Sequence, residues 1–301
     1  MNLGWRSGKM KYSILILALL TFNNSVLANC LDSKLSDKDN FTSCQVDARK
    51  GDALSQSYLG AMYDTGLGVI QDHKQAAQWL QKSAEQGNAE AQSYLGVMYS
   101  EGRGVAQDYK QAVQWFQKAA KQGNTNAQVN LGNWYHEGRG VTQDYKQAAH
   151  WFQKAAKQGF ADAQFRLGVM YYRGQGITQD YKQAAHWYQK AAEQESAGAQ
   201  YKLGDLYTLG QGVAQDYKQS AHWYQKSAEQ GYVRAQASLG MLYYIGQGVI
   251  HDYIMAHLYL NLASANGDKL ALEFRDKASE KMTPSQIEQA QELAREWMKT
   301  H

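Results

Sequence analysis

Three histidines, His150, His186 and His222, recur one every 36 residues, a pattern that would matter if they shared a metal ion. Zinc needs ring nitrogens about 2.0–2.1 Å away. Residues copied at that interval sit on equivalent helices, and adjacent helices pack about 8–10 Å apart. The three rings therefore cannot converge, and they read as surface residues copied with their surroundings. Five aspartates recur in the same way: Asp72, Asp108, Asp144, Asp180 and Asp216, each with a glutamine three residues on. Acid–base catalysis needs a unique, positioned set of titratable groups. Five equivalent copies instead fit a helix start, where the carboxylate accepts from early backbone N–H groups and the glutamine reaches back.

Two further patterns could carry chemistry. Six Gly-x-Gly runs, from Gly66-Leu67-Gly68-Val69 to Gly246-Gln247-Gly248-Val249, resemble a phosphate loop in spacing alone. No Gly-Lys-Ser/Thr follows any of them, so they read as helix ends and tight turns, with the valine plugging the gap between two helices. Cys30 and Cys44 are the only cysteines. Two thiols are too few for a closed metal site, and no histidine lies near them in sequence. In an exported chain, a pair this close forms a disulfide.

The elements behind these residues form a tandem array. Gly123 to Gln158 matches the preceding and following 36 residues at most positions, and its leading glycine recurs at Gly51, Gly87, Gly123, Gly159, Gly231 and Gly267, with Glu195 in the remaining slot. A fixed period of this length without insertions means a solenoid. Each unit carries two helical patterns. In the first, Ala127, Leu131, Trp134 and Tyr135 mark one apolar face. Gly132 lies beside them, as do Gly60, Gly96, Gly168, Gly204 and Gly240, although a helical glycine costs about 1 kcal/mol against alanine. Six in register imply a neighbouring helix too close for a side chain. The second helix buries Ala148, Trp151, Phe152 and Ala155. Its outer face, Lys146, Gln147, Gln153 and Lys154, is solvated. The junction at Glu195, with Gly198 inside the next helix, implies a locally altered turn.

Residues 1–28 read as a signal peptide. Arg6, Lys9 and Lys11 precede an apolar run from Tyr12 to Phe22, and Val26-Leu27-Ala28 places small residues for cleavage before Asn29. The run is too short to span a membrane. A lipoprotein signal ending at Cys30 is the alternative, with Asn29 where Gly, Ala or Ser is expected. Loss of those three basic residues takes the formal charge from +3 to zero, which argues against a nucleic-acid partner. Residues 29–50 read as a half-repeat cap pinned by the disulfide, with Cys44 one period before Leu80. Residues 51–266 hold six repeats. Residues 267–301 close the array, with a helix start at Thr283-Pro284-Ser285-Gln286 and an apolar stripe of Ile287, Ala290, Ala294 and Trp297.

The run Ala91-Gln92-Ser93-Tyr94-Leu95-Gly96-Val97-Met98-Tyr99, then Gly102-Arg103-Gly104-Val105, then Asp108-Tyr109 through Ala119-Ala120, resembles the Sel-one-like repeat family, relatives of tetratricopeptide repeats. The resemblance implies an all-α, α/α solenoid, wound as a right-handed superhelix with terminal caps. It implies an adaptor that binds a protein or peptide in the bacterial envelope or outside the cell, without catalysis, cofactor, metal or membrane span in the mature chain. One cysteine-rich branch of the family binds or slowly hydrolyses β-lactams, so a hydrolase acting on β-lactams or cell-wall material is the alternative. That branch carries a cysteine pair in each repeat, and these repeats carry none.

Comparison of the repeats with one another locates the expected binding surface. The second helices present nearly uniform Lys and Gln. On the first helices, slots four, seven, eight, eleven, fourteen and fifteen of each unit change freely. The candidate contact residues are Tyr94, Asn130, Asn133, His136, Phe165, Arg166, Val169, Tyr172, Arg173, Tyr201, Lys202 and Asp205. At 100° per residue these slots are expected opposite or beside the buried face. The resemblance implies that first helices line a concave side, where aromatic and Arg residues are common hot-spot types.

Overall fold

The computed structural model describes residues 30–300; the predicted signal peptide lies outside the described residues. All regular elements among the described residues are helices, which we number α1 to α15. Helix α1 (Asp37–Arg49) precedes six pairs: α2 (Ala53–Thr65) and α3 (His73–Glu85), α4 (Ala89–Glu101) and α5 (Tyr109–Lys121), α6 (Thr125–Glu137) and α7 (Tyr145–Lys157), α8 (Ala161–Arg173) and α9 (Tyr181–Ala192), α10 (Ala197–Leu209) and α11 (Tyr217–Glu229), α12 (Val233–Ile245) and α13 (Tyr253–Ala265). Helices α14 (Lys269–Ser279) and α15 (Pro284–Thr300) follow. Within each unit, consecutive helices pack on one another, from α1 to α6 and from α7 to α14, and α15 packs on α13, as expected for an all-α solenoid of repeats. The chain divides into two compact units, residues 1–144 and 145–301, each described by itself.

Local chemistry explains where each helix starts and stops. Second helices begin at an aspartate: Asp72 Oδ1 accepts from the amides of Lys74 and Gln75 at 2.9 and 3.0 Å, and Asp108, Asp180 and Asp216 do the same one or more periods on. The sequence expectation that the glutamine reaches back to the aspartate amide is not met at these four positions. That amide is already used: Asp72 N–H donates to the Tyr63 carbonyl at 2.9 Å, and its equivalents donate likewise, so the connection is tied to the helix before it. A reciprocal capping box does form at α15, where Thr283 N–H donates to Gln286 Oε1 at 2.8 Å and Gln286 N–H to Thr283 Oγ1 at 3.3 Å. First helices end on a left-handed glycine, as at Gly66 (φ 75°) and Gly102 (φ 70°). The second glycine of each pair packs on backbone: a Cβ on Gly104 would lie 1.9 Å from the His73 carbonyl oxygen at the start of α3.

The junction at Glu195 corrects an expectation. Ser196 N–H still donates to the Ala191 carbonyl at 3.1 Å, as Asn124 N–H does to Ala119 at 3.1 Å in an ordinary repeat. The turn is therefore unaltered, and Glu195 is held at φ 61°, the one non-glycine residue with positive φ among the described residues. The hydrogen-bonded frame outweighs the cost of a left-handed side chain.

The core follows the repeat. Small and aliphatic residues of both helices are buried, with Phe116, Phe152, Tyr188, Leu80 and Leu131 at most 1% exposed. Trp115, Trp151, Trp187 and Trp223 are buried, and a lysine one turn on lies over each indole, as Lys118 does over Trp115 at 3.9 Å. One buried device escaped the sequence reading. Gln92, 4% exposed, donates to the Ala84 carbonyl at 2.9 Å and accepts from Gln122 Nε2 at 2.8 Å. The same arrangement recurs at Gln56, Gln164 and Gln200, joining each repeat to the next through paired polar groups.

At the start of the described chain, Cys30 and Cys44 form the expected disulfide, with a Cα–Cα distance of 4.6 Å. Both are buried with Met62, and Leu54, Tyr58 and Phe41 pack around them. Helix α1 takes the place of a second helix, since Gly68 abuts the Asp37 carbonyl at its start, as Gly104 abuts His73.

Candidate functional site

The first helices carry the variable residues, and the structure sorts them into buried ties and an exposed row. Slot seven is not outward. Ser57, Ser93 and Val129 are buried, and Phe165 and Tyr201 are half-buried against the core. The reason is that a first helix is packed from two sides. Helix α8, for example, contacts both α7 and α9, so its buried stripe is wider than one partner would require. Val169 and Tyr172 also pack against the core, and Asn130, Asn133, His136, Arg166, Lys202 and Asp205 are partly covered. Among the candidate residues, Arg173 is the one that stands exposed.

Two clusters of ionisable residues occupy the covered slots. In the first unit, Asp64 is fully buried. Its Oδ1 lies 2.8 Å from His73 Nδ1, and its Oδ2 accepts from the Tyr94 hydroxyl at 2.6 Å and from Arg103 Nη1 at 3.1 Å. Arg103 also reaches Glu101 at 3.2 Å. A buried carboxylate with three donors is a satisfied one. Of these residues the sequence reading selected Tyr94. The available signal was His73, which stands where the other repeats have Tyr109, Tyr145, Tyr181, Tyr217 and Tyr253.

In the second unit, Asp205 accepts from Lys202 Nζ at 2.8 Å and from the Tyr224 hydroxyl at 2.9 Å. Thr208 extends the network to Ser220 at 2.6 Å. Tyr201 stacks on Tyr224 with centroids 5.7 Å apart and packs on Tyr232 at 5.2 Å. Burial, reinforced by the Asp205 charge, pushes the Tyr201 phenol up to about 12. The same two causes push Tyr224 further up. Arg166 pairs with Asp162 at 2.8 Å, and Tyr172 packs edge-on against Tyr181 at 5.3 Å.

The exposed row is slot fifteen of the first helices. In the second unit it reads Arg173, Leu209 and Ile245, one per consecutive repeat, with Leu209 57% and Ile245 53% exposed. Large apolar side chains left in water at one slot are suited to a partner rather than to the core. No group of histidine, cysteine and acidic residues among the described residues could hold a metal. His150, His186 and His222 are exposed, each edge-on to its neighbouring tryptophan. No described helix is long and apolar enough to cross a membrane.

The comparisons agree with this architecture. The Sel1 repeat model matches residues 53–88, 89–124, 125–160, 161–196, 197–232 and 233–268. A Sel1 repeat protein from Oxalobacter formigenes superposes with a TM-score of 0.65 at 32% identity, covering 75% of this chain and 91% of that one. A protective antigen of uropathogenic Escherichia coli with an SLR fold gives 0.48 at 27% identity over 88% and 80% of the two chains. A further Sel1 repeat protein, from Klebsiella pneumoniae, gives 0.41 at 26% identity over 67% and 99%. No curated protein matches the chain. Sel1 repeats are generally protein-interaction scaffolds. With six consecutive repeat matches across most of its length, this chain belongs to the Sel1 repeat family.

Proposed function

We propose that the protein is an exported, non-catalytic scaffold that binds a protein or peptide through the exposed row of its first helices. The observation that carries this reading is the contrast between the two helices of each repeat. The second helices of the first five repeats carry the same lysines and glutamines, whereas the first helices of the second unit expose Arg173, Leu209 and Ile245 at one slot. Placement outside the cytoplasm rests on the Arg6-to-Ala28 leader pattern and is supported by the Cys30–Cys44 disulfide. Within the candidate set, the covered residues would shape the surface from beneath, and Arg173 would meet the partner directly.

The test is a pull-down from periplasmic extract with chain starting at Asn29, read by mass spectrometry. A specific partner should be retained by the wild type and lost with Leu209→Asp plus Ile245→Asp. It should survive replacement of Lys182, Lys190, Lys218 and Lys226 by Ala. The reverse pattern would move the site to the second helices.

A further inference from the structure

The Tyr188 hydroxyl is fully buried and has no hydrogen-bond partner. An unmet buried donor costs about 1–3 kcal/mol, so such groups call for a reason. The next repeat, the other one with a tyrosine at this position, shows how such a hydroxyl is satisfied. Tyr188 and Tyr224 are one period apart, and each ring lies over the glycine of its own first helix, where a Cβ on Gly168 or Gly204 would come within 2.6 Å. Tyr224 then donates to Asp205, the slot-eleven residue of that helix, at 2.9 Å. In the Tyr188 repeat, slot eleven is Val169, which offers no acceptor. The Asp64 cluster repeats the lesson in the first unit, where a carboxylate is held by a tyrosine hydroxyl and an arginine.

The Tyr188 repeat retains the donors. Arg173 is exposed and makes no ion pair among the described residues. Arg173 stands four residues after Val169, on the same face of α8; burial pushes the Tyr188 phenol up, Tyr172 and Asp205 add to the push, and the Arg173 charge opposes it. Tyr172 is half-buried, rests on Tyr181 and packs against the same core cluster as Tyr188.

We infer that Tyr188 and Arg173 form a receiving point for a carboxylate from the partner, an Asp or Glu side chain, in the place that Asp205 fills for Tyr224. This rests on the scaffold reading and specifies the chemistry of what docks there. The geometry needs one acceptor for the Tyr188 O–H and one negative charge for the guanidinium, and a carboxylate supplies both.

The experiment is an NMR titration of tyrosine-labelled protein starting at Asn29, with two capped tripeptides, Ala-Glu-Ala and Ala-Gln-Ala, as probes. The glutamate peptide should shift the Tyr188 and Tyr172 ring signals and bind about tenfold more tightly than its amide. Tyr188→Phe and Arg173→Gln should each remove that preference. Tyr188→Phe should melt no lower than wild type, because it removes an unsatisfied hydroxyl. Val169→Asp, which supplies the acid from within the chain, should also abolish binding. Equal binding of the two peptides overturns the inference, as does a glutamate preference that persists in Tyr188→Phe. Either outcome leaves the Leu209 and Ile245 test of the scaffold reading intact.

Discussion

The ring of Phe116 fills the space that a Cβ on Gly96 would need: the two would be 2.7 Å apart. The helix α4 glycine is thus required by contact, against its own helix propensity. Gly96→Ala should lower stability by about 1–3 kcal/mol through overpacking, despite alanine's advantage of about 1 kcal/mol in a helix. Gly198 lies within a helix too, yet its nearest neighbour, Phe165, would be at 3.4 Å. Gly198→Ala should raise stability by about 0.5–1 kcal/mol. Urea denaturation of the two variants, expected to shift in opposite directions, checks the relationship.

Glu195 bears a left-handed backbone that six equivalent positions give to glycine. Glu195→Gly should stabilise the protein by about 1 kcal/mol, seen as a higher melting temperature. An unchanged or lower value would mean that the side chain makes a compensating contact.

Asp64 ties His73, Tyr94 and Arg103 together from a fully buried position. Asp64→Ala should cost about 3–5 kcal/mol, since it strands a largely buried arginine. Pairing it with Arg103→Leu should recover part of the loss, and a double-mutant cycle measures the coupling. Strict additivity would show that the cluster contributes nothing as a unit.

His257 is buried, which lowers its pKa; Arg275 lowers it further, and Asp276 partly opposes the shift. The unfolded chain therefore takes up a proton first. Stability should fall as pH drops below the ordinary value of 6.5, and level off below the folded-state pKa. At the alkaline end, Tyr201 and Tyr259, both raised by burial to about 12, should destabilise the fold as pH rises above 10.0. Chemical denaturation across pH, with His257→Leu flattening the acid limb, tests both signs.

The disulfide closes a loop of 14 residues' separation and covers Met62. Cys30→Ala with Cys44→Ala should cost about 3 kcal/mol on the chain-entropy account, read from denaturation under non-reducing conditions.

The sequence alone determined the repeat, its helix pairs and most of its turns, because those depend on local rules. A 36-residue period, aspartate helix starts and glycine stops act over a few residues, and the register glycines, Gly96 among them, announced a close helix contact before its partner was known. The cysteine pair was legible for the same reason. The tertiary structure decided which variable residues face solvent. A one-helix wheel counts one buried face, but α8 and α10 are each packed on two sides, so Tyr201 and Phe165 turned inward and Leu209 and Ile245 remained outside. The structure also decided the pairings of Gln92 with Ala84 and Gln122, and of Asp64 with His73, Tyr94 and Arg103. Such contacts join residues 8 to 39 positions apart, and no periodicity in the chain encodes which donor meets which acceptor.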